Sequence, residues 1–214
     1  MKKLLITLAT LAGFGLIAFS IIKSKNTKPL RFLPLYGEFK VINTDTIYHT
    51  VPSFSFIDQN GNTLTEEKFK GKIYIADYFF ASCQSICPIM SKNMQKVFKD
   101  FENDPSVFFL SHTVDPEGDS VSVLKTYAEE HGANPNKWFF VTGDKKELYK
   151  QARKGYYLDA NEGDGGPDDF VHTPNFVLID PDRHIRGYYD GTSDKDMEKL
   201  LAEIKLLKKE FNLQ

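Results

Sequence analysis

A continuous apolar and aromatic run at residues 72–80, KIYIADYFF, constrains the fold of this chain more than any other feature. A run of this kind with a single acid is typical of a strand that is covered on both faces. The apolar residues of 88–101 then recur at helical spacing, and Pro88 is compatible with helix initiation. We therefore expect a buried strand to lead into a helix through residues 81–87.

Strands and helices alternate along the rest of the chain. Strand-like stretches at 38–42 and 53–57, the second followed by turn residues at 58–61, predict an amino-terminal β-hairpin extension. The segments predicted after the buried run are a strand at 107–114, a helix at 120–131, a strand at 138–141, a helix at 145–153, hairpin strands at 176–179 and 185–189, and a final helix at 197–211. This order predicts an α/β sandwich that resembles the thioredoxin type.

The amino terminus contains an uncharged run of 19 residues, Leu4–Ile22. At about 1.5 Å per residue, this run nearly covers the roughly 30 Å hydrocarbon core of a bilayer. It ends without the small residues of a signal-peptide cleavage site, which favours a single uncleaved transmembrane helix. We therefore expect a membrane anchor at 1–22, a polar and proline-interrupted tether at 23–36, and one globular domain at 37–214.

Charge is distributed unevenly along the chain. Six of the 27 basic residues and none of the 29 acidic ones precede Glu38, which leaves 21 basic against 29 acidic residues, a balance of −8, in the remainder. Binding to nucleic acid is dominated by cationic contacts with phosphate, so an acidic domain is not expected to bind it. A protein partner with a basic surface suits this charge better.

The chain has two cysteines, Cys83 and Cys87, four residues apart. A helical or turn-like path brings two such sulfurs onto one side, where they could share a metal ion or close a disulfide. Their position at the end of a strand and the start of a helix predicts exposed thiols that ionise readily. Soft thiolates select copper(I), zinc or iron–sulfur clusters, and two cysteines are too few for a four-cysteine cluster. Copper would need a further donor, while a structural disulfide and a pair of buried thiols remain alternatives.

Five histidines could supply that donor. His172 comes immediately before a predicted strand, where a thioredoxin-like fold brings a loop opposite the cysteines. Thr173–Pro174 follows at the position of that fold's cis-proline, so a cis peptide bond is expected there. His112 falls within a predicted strand and is expected in the core or beside the site. The other three are expected at the surface: His49, His131 and His184.

Over roughly residues 50–210 the chain resembles the Sco/SenC family of copper-binding proteins, which assist the assembly of cytochrome c oxidase. The residues that carry the resemblance occur in the family's order and spacing. They are Phe79–Cys83, Cys87–Pro88, Val114–Pro116, Asp119, Leu124, Tyr127–Ala128, Trp138, Thr142–Gly143, His172 and Leu178–Pro181. The resemblance implies an amino-terminal membrane anchor and a copper site whose ligands are Cys83, Cys87 and His172.

One position departs from the family pattern. Val171 stands where family members often have an aspartate next to the histidine, so a fixed carboxylate beside His172 is not expected here. Asp115 and Asp119 match family positions whose role we expect to be structural, capping a loop and the start of a helix.

The resemblance and the thiol pair together predict a metallochaperone that binds a copper ion. It would deliver the ion to the copper-bearing subunit of cytochrome c oxidase, or exchange it with another copper chaperone. The expected location is the bacterial inner (cytoplasmic) membrane, crossed once, with the soluble domain on the periplasmic side.

Other functions remain open at the level of sequence. A thiol–disulfide oxidoreductase that reduces a partner's cysteines is the alternative, because the same two sulfurs serve both activities. Peroxide reduction by Cys83 is a weaker hypothesis, since no partnering arginine is evident near it. A group of acidic residues close to His172 would contact a basic partner or form a solvated loop. These residues are Glu162, Asp164, Asp168 and Asp169.

Overall fold

The computed structural model describes residues 33–158, 166, 171 and 173–213. The predicted transmembrane helix, most of the predicted tether and the acidic residues at 162, 164, 168 and 169 lie outside the described residues. His172 lies outside them as well. Among the helices of the described part, none is long and apolar enough to cross a membrane.

Nine strands and four α-helices occur within the described residues. The strands are β1 (Phe39–Ile42), β2 (Asp45–Tyr48), β3 (Ser55–Asp58), β4 (Thr63–Thr65), β5 (Ile73–Phe79), β6 (Val107–Thr113), β7 (Trp138–Thr142), β8 (Asn175–Ile179) and β9 (Ile185–Asp190). The helices are α1 (Cys87–Phe101), α2 (Val121–Glu130), α3 (Lys145–Lys150) and α4 (Asp194–Glu210). A 3₁₀ turn at Glu66–Phe69 follows β4, and a π-helical turn at Gln151–Gly155 continues α3.

In the described part of the chain, seven strands form one mixed sheet in the order β4-β3-β7-β6-β5-β8-β9. Strands β5, β6 and β7 run parallel, while β8 and β9 form an antiparallel hairpin beside β5. Strands β3 and β4 form a second hairpin, which joins the sheet where β3 pairs with β7. The predicted α/β architecture, with its closing hairpin and helix, is confirmed, and its three central strands are parallel.

Strand β5 lies in the interior of the sheet and is buried along all seven residues. Its side chains alternate between two hydrophobic cores. Ile73 and Ile75 belong to the core that contains residues of α1, α2 and α4, and Tyr74 and Ala76 to the core that contains residues of α3. Burial on both faces explains the unbroken apolar sequence, because each large side chain removed from water contributes roughly 1.5–3 kcal/mol.

The structure contains two strands for which the sequence pattern predicts no segment, β2 and the three-residue β4. Strand β2, with the sequence DTIY, is exposed or half-buried along its length and so lacks the alternation of burial that marks a strand. It pairs with β1, which is exposed as well, in a separate two-stranded sheet. The amino-terminal extension therefore consists of two hairpins, β1–β2 and β3–β4.

Residues 33–36, at the end of the predicted tether, pack against the domain. The Tyr36 N–H donates to the carbonyl of Ile185 at 3.0 Å. The Arg186 side chain is fully buried, and its guanidinium donates to four groups. They are the carbonyls of Leu33 and Pro34, at 2.7 and 3.0 Å, and the carboxylates of Asp180 and Glu210, at 2.8 and 2.9 Å. The two carboxylates offset the cost of burying this cation. The arginine thereby ties residues 33–36 to β9 and to the end of α4.

Candidate metal centre

The segment that carries Cys83 leaves the sheet at the end of β5 and enters α1 at Cys87. Two main-chain hydrogen bonds shape its first half. The Cys83 N–H donates to the carbonyl of Phe80 at 3.2 Å, and the Ala81 N–H donates to both carboxylate oxygens of Asp119 at 3.2 Å. These bonds hold the backbone in a turn that leads directly into the helix.

Asp119 is buried in the connection between β6 and α2. Its carboxylate also accepts a hydrogen bond from the hydroxyl of Thr113, and burial raises the pKa of the acid. The predicted capping of the helix start belongs to another residue, because the N-cap of α2 is Ser120, whose hydroxyl accepts from Val123 N–H at 3.4 Å. Asp119 instead joins the end of β6 to the segment that carries Cys83.

Both cysteines are free thiols, and both are buried, with 8% of Cys83 and 5% of Cys87 exposed. The prediction that a strand end would expose them is wrong. The first turn of α1 packs into the core, and a cleft beside Cys87 is lined mainly by apolar side chains. The residues that line it with Cys87 come from β5 and the residue after it, from α1 and its N-cap, from the residue after β6 and from the segment before β8. They are Tyr78, Phe79, Phe80, Ile86, Met90, Val114, Val171 and Thr173.

The two thiols differ in acidity. Burial raises the pKa of Cys83, but hydrogen bonds from Cys87 and Ser85 outweigh it and lower that pKa from 9.0 to about 7. Burial, followed by the hydrogen bond to Cys83, raises the pKa of Cys87 from 9.0 to about 12. One shared hydrogen bond therefore stabilises the first thiolate and opposes the second ionisation. Near neutral pH the negative charge of the pair lies on Cys83, and Cys87 is the donor.

The position of the cysteines at the start of α1 does not by itself explain the difference between their pKa values. Pro88 lies in its first turn, and Ile86 at the N-cap provides no capping side chain. A helix start generally favours a thiolate. Cys83, which precedes the helix, has the lowered pKa, whereas Cys87 within the first turn keeps its proton because it is buried and bonded to Cys83. The predicted ready ionisation therefore holds for one cysteine of the two.

Asp77 is a site residue that the sequence pattern does not identify. This acid of β5 is buried, and its charge raises the pKa of Cys87 and of Tyr127. Burial raises the pKa of Asp77 itself to about 7, against the opposing effect of a hydrogen bond with Ser111. Its Oδ1 atom has no hydrogen-bond partner among the residues that the structure describes. One acid in an otherwise apolar strand is the signal that could identify it, because a buried carboxylate is costly.

The third predicted ligand, His172, lies outside the described residues. Both of its chain neighbours are described, and Val171 and Thr173 line the same cleft as Cys87. Within residues 33–158 and 173–213 and the two single positions 166 and 171, no three His, Cys, Asp or Glu side chains form a group that could hold a metal ion.

The other four histidines are engaged away from the sulfurs. His112 is fully buried in β6 as expected, stacks on Tyr78 with ring centroids 4.6 Å apart, and has its pKa lowered to about 3 by burial. The remaining three are half-buried, and each has a ring nitrogen 2.8 Å from a main-chain carbonyl. These pairs are His49 with Gly155, His131 with Tyr127, and His184 with His49.

The peptide bond between Thr173 and Pro174 is trans, so the predicted cis bond is wrong. The trans form is the preferred one before proline by about 0.5–1 kcal/mol. The trans chain also satisfies its local polar groups, since Thr173 Oγ1 accepts from Asn175 N–H at 3.2 Å and the Pro174 carbonyl from Gly191 N–H at 2.8 Å.

Comparison with known proteins matches most of this chain to one family. The SCO1/SenC family model matches residues 43–209. A SCO1 protein homolog of Bacillus subtilis is 28% identical over 163 residues, which cover 75% of this chain and 84% of the relative.

Two solved structures share the fold. BsSco, a member of the Sco family of cytochrome c oxidase assembly proteins with a disulfide switch, has a TM-score of 0.64 and 28% identity, over 77% of this chain and 95% of BsSco. Yeast Sco1 with copper bound has a TM-score of 0.56 and 26% identity, over 73% of this chain and 88% of the yeast chain. With the family model matching from the turn between β1 and β2 to the last turn of α4, this chain belongs to the SCO1/SenC family.

Proposed function

We propose that this chain is a membrane-anchored copper chaperone that binds a copper ion through Cys83, Cys87 and His172. The observation that carries the proposal is a hydrogen-bonded pair of free thiols beside a cleft that Val171 and Thr173, the two chain neighbours of His172, also line. Thiolates and an imidazole are donors that suit copper. The solved structure of yeast Sco1 with copper bound supports the same choice of ion.

Copper uptake by this pair is coupled to the release of protons. The Cys83 thiol, with a pKa of about 7, is partly ionised at neutral pH, whereas Cys87, with a pKa of about 12, loses its proton when the ion binds. The neutral imidazole of His172 completes the donor set. Protons compete with copper at all three donors, so the affinity falls as the pH is lowered.

The proposed location and partner follow from the charge and the amino-terminal sequence. The apolar run at 4–22 supports attachment to a bacterial inner membrane. The copper-site motif, and not the charges that flank this run, supports the periplasmic side for the domain. The recipient is the copper-bearing subunit of cytochrome c oxidase, or another copper chaperone, and it removes copper by ligand exchange. BsSco's membership of the Sco family of cytochrome c oxidase assembly proteins supports this choice. The acidic balance after residue 37, 21 basic against 29 acidic residues, suits a recipient with a basic surface.

Thiol–disulfide exchange is a second candidate function, favoured by the pKa of about 7 at Cys83. The Cys83 thiolate would attack a partner's disulfide, forming a mixed disulfide and releasing one partner thiolate. Cys87 would then lose its proton and attack the Cys83 sulfur, releasing the second partner thiolate. The chain would end with a Cys83–Cys87 disulfide, and the partner would have gained two electrons. The disulfide switch identified in BsSco is in line with this chemistry.

Metal analysis of the full chain, purified in detergent under reducing conditions and loaded with copper, tests the proposal. We expect stoichiometric copper in the wild type and its loss in Cys83→Ser, Cys87→Ser and His172→Ala. His184→Ala is the matched control and should retain copper, because that ring bonds the His49 carbonyl. Stoichiometric copper in Cys83→Ser would refute the site. Rapid insulin reduction that persists in His172→Ala would instead favour thiol–disulfide exchange.

A further inference from the structure

The β1–β2 hairpin presents apolar side chains on both of its faces. Phe39, Val41, Ile42 and Ile47 are each more than half exposed. In the register of the hairpin, Phe39 pairs with Tyr48 and Val41 with Thr46, whereas Ile47 and Ile42 lie in the alternate pairs with Lys40 and Asp45. Alternate pairs face opposite sides of a two-stranded sheet, so each side of this hairpin exposes apolar side chains, and one side carries Lys40 and Asp45 as well.

The rest of the domain gives this hairpin little support. Among the described residues it forms its own two-stranded sheet, apart from the seven-stranded one. It is attached to the domain at its base, where the His49 ring lies 2.8 Å from the Gly155 carbonyl and the His184 ring lies 2.8 Å from the His49 carbonyl. The ring centroids of Tyr48 and His184 are 6.5 Å apart. An isolated two-stranded hairpin is marginally stable in water, and exposed apolar side chains that share one small element indicate a binding surface.

The position of the hairpin in the chain limits what can cover it. Arg186 ties Leu33 and Pro34 to the domain, and β1 begins six residues after Leu33. The uncharged run at 4–22 is joined to Leu33 by the ten residues 23–32, which can span at most roughly 35 Å when fully extended. A short tether of this kind keeps a nearby surface at a high effective concentration.

We propose that the β1–β2 hairpin inserts into the interface of the bilayer that holds the amino-terminal run. Apolar residues on both faces suit immersion in a lipid interface, whereas docking on one flat protein surface would leave one face in water. The polar turn at Asn43–Thr44 and the adjacent Asp45 limit the depth to the headgroup region, where charged groups stay hydrated. The hairpin thereby sets the orientation of the domain above the membrane. This inference rests on the membrane attachment proposed above and is independent of copper binding.

Quenching of tryptophan fluorescence by brominated lipid tests the insertion. The full chain is reconstituted into phosphatidylcholine–phosphatidylglycerol vesicles, with and without bromine on the upper acyl chain, and co-flotation verifies its incorporation. The native Trp138 is buried and serves as background. In Phe39→Trp, we expect a blue-shifted emission that brominated lipid quenches. In Lys125→Trp, a control at an exposed position of α2, we expect no quenching beyond that of the wild type.

A second variant tests whether the quenching in Phe39→Trp depends on the native apolar side chains of the hairpin or only on the added tryptophan. Adding Val41→Ser, Ile42→Ser and Ile47→Ser to Phe39→Trp should relieve the quenching and leave the copper stoichiometry unchanged. If the chain floats with the vesicles but the emission of Phe39→Trp is as unquenched as that of Lys125→Trp, insertion is overturned. The hairpin is then assigned to a protein partner or a second copy of the chain. A chain that does not float with vesicles overturns both membrane attachment and insertion, while the copper measurement still tests the metal site separately.

Discussion

The hydrogen bond between Cys83 and Cys87 lowers the pKa of the first thiol, and burial together with the same bond raises the pKa of the second. Burial alone would raise both pKa values, so the lowered pKa of Cys83 comes from the donors around it, Cys87 and Ser85. An incoming metal ion or disulfide therefore meets a thiolate at Cys83 first. Cys87 reacts second, after it has lost its proton.

The order of reaction predicts a pH profile for alkylation. In the reduced full chain, Cys83 should react with iodoacetamide along a titration curve centred near pH 7, with Cys87 unmodified over the same range. Cys87→Ala removes the first donor to the Cys83 thiolate, so the midpoint should move to higher pH, and Ser85→Ala should move it less. Peptide mass spectrometry of timed reactions measures both sulfurs. Faster modification of Cys87, or an unmoved midpoint in Cys87→Ala, would contradict this account.

Asp77 predicts a pH dependence of stability. Burial raises its folded pKa to about 7 from an ordinary 3.8, so its contribution to stability is fully present below pH 3.8 and is lost as the pH rises through 7. Asp77→Asn carries no charge to bury. At pH 8 its free energy of unfolding should exceed that of the wild type by on the order of a few kcal/mol, and the difference should vanish towards pH 4.

Urea denaturation of the reduced full chain at several pH values measures the effect of Asp77→Asn. Ser111→Ala is the control, because it removes the hydrogen bond to Asp77 while leaving the acid in place. By raising the pKa of Asp77 further, Ser111→Ala should extend the loss of stability to higher pH and make the total loss larger. A stability difference between Asp77→Asn and the wild type that does not change with pH would show that this carboxyl is not the buried acid described above.

The connection between β6 and α2 holds the connection between β5 and α1 through one side chain, Asp119. Asp119 accepts from the Ala81 N–H and from the Thr113 hydroxyl, and so links two parallel strand ends. The neighbouring Asp115 differs, because its carboxylate accepts from the Gly118 N–H within its own turn. The position of the Cys83 sulfur therefore depends on a residue that lies far from it in sequence.

Removal of the Asp119 carboxylate should weaken copper binding although all proposed ligands remain. Residues that orient metal ligands typically contribute about 10- to 100-fold to metal affinity, so Asp119→Ala should lower the copper affinity by about 10-fold. Competition with a chromogenic copper(I) chelator measures the affinity, and circular dichroism verifies that the variant is folded. Asp115→Ala should bind copper as the wild type does. Equal affinities in Asp119→Ala and Asp115→Ala would exclude the positioning role.

The elements themselves were largely predictable, and the details of the site were not. Strand β5 is predictable because both its faces are buried, which requires a continuous apolar sequence. The exposed β2 has no apolar pattern that would predict a strand. The surroundings of Cys87 could not be predicted, because Val171 and Thr173, from the segment before β8, line the cleft beside it. Asp77 was visible as an acid in an apolar strand, but its effect on Cys87 depends on three-dimensional proximity.

Over the whole molecule, sheet topology explains why distant segments meet at one edge. Strands β5 and β6 are parallel, so the segments carrying Cys83 and Asp119 leave the sheet on the same side. Strand β8 is antiparallel to β5, with Ala76 opposite Val177, so each step forward on β5 is a step back on β8. Extending this register brings residue 80 level with Thr173. The carboxyl end of β5 and the amino end of β8 therefore lie at the same edge of the sheet. This brings Cys87 and the two chain neighbours of His172 to one cleft.

X-ray absorption at the copper edge tests the proposed ligand set most directly. The full chain loaded with one equivalent of copper(I) should show two sulfur neighbours and one nitrogen neighbour. His172→Ala should lose the nitrogen contribution and keep both sulfurs, while His184→Ala should give the wild-type spectrum. Identical spectra for the wild type and His172→Ala would contradict the account, and so would a wild-type spectrum with fewer than two sulfur neighbours.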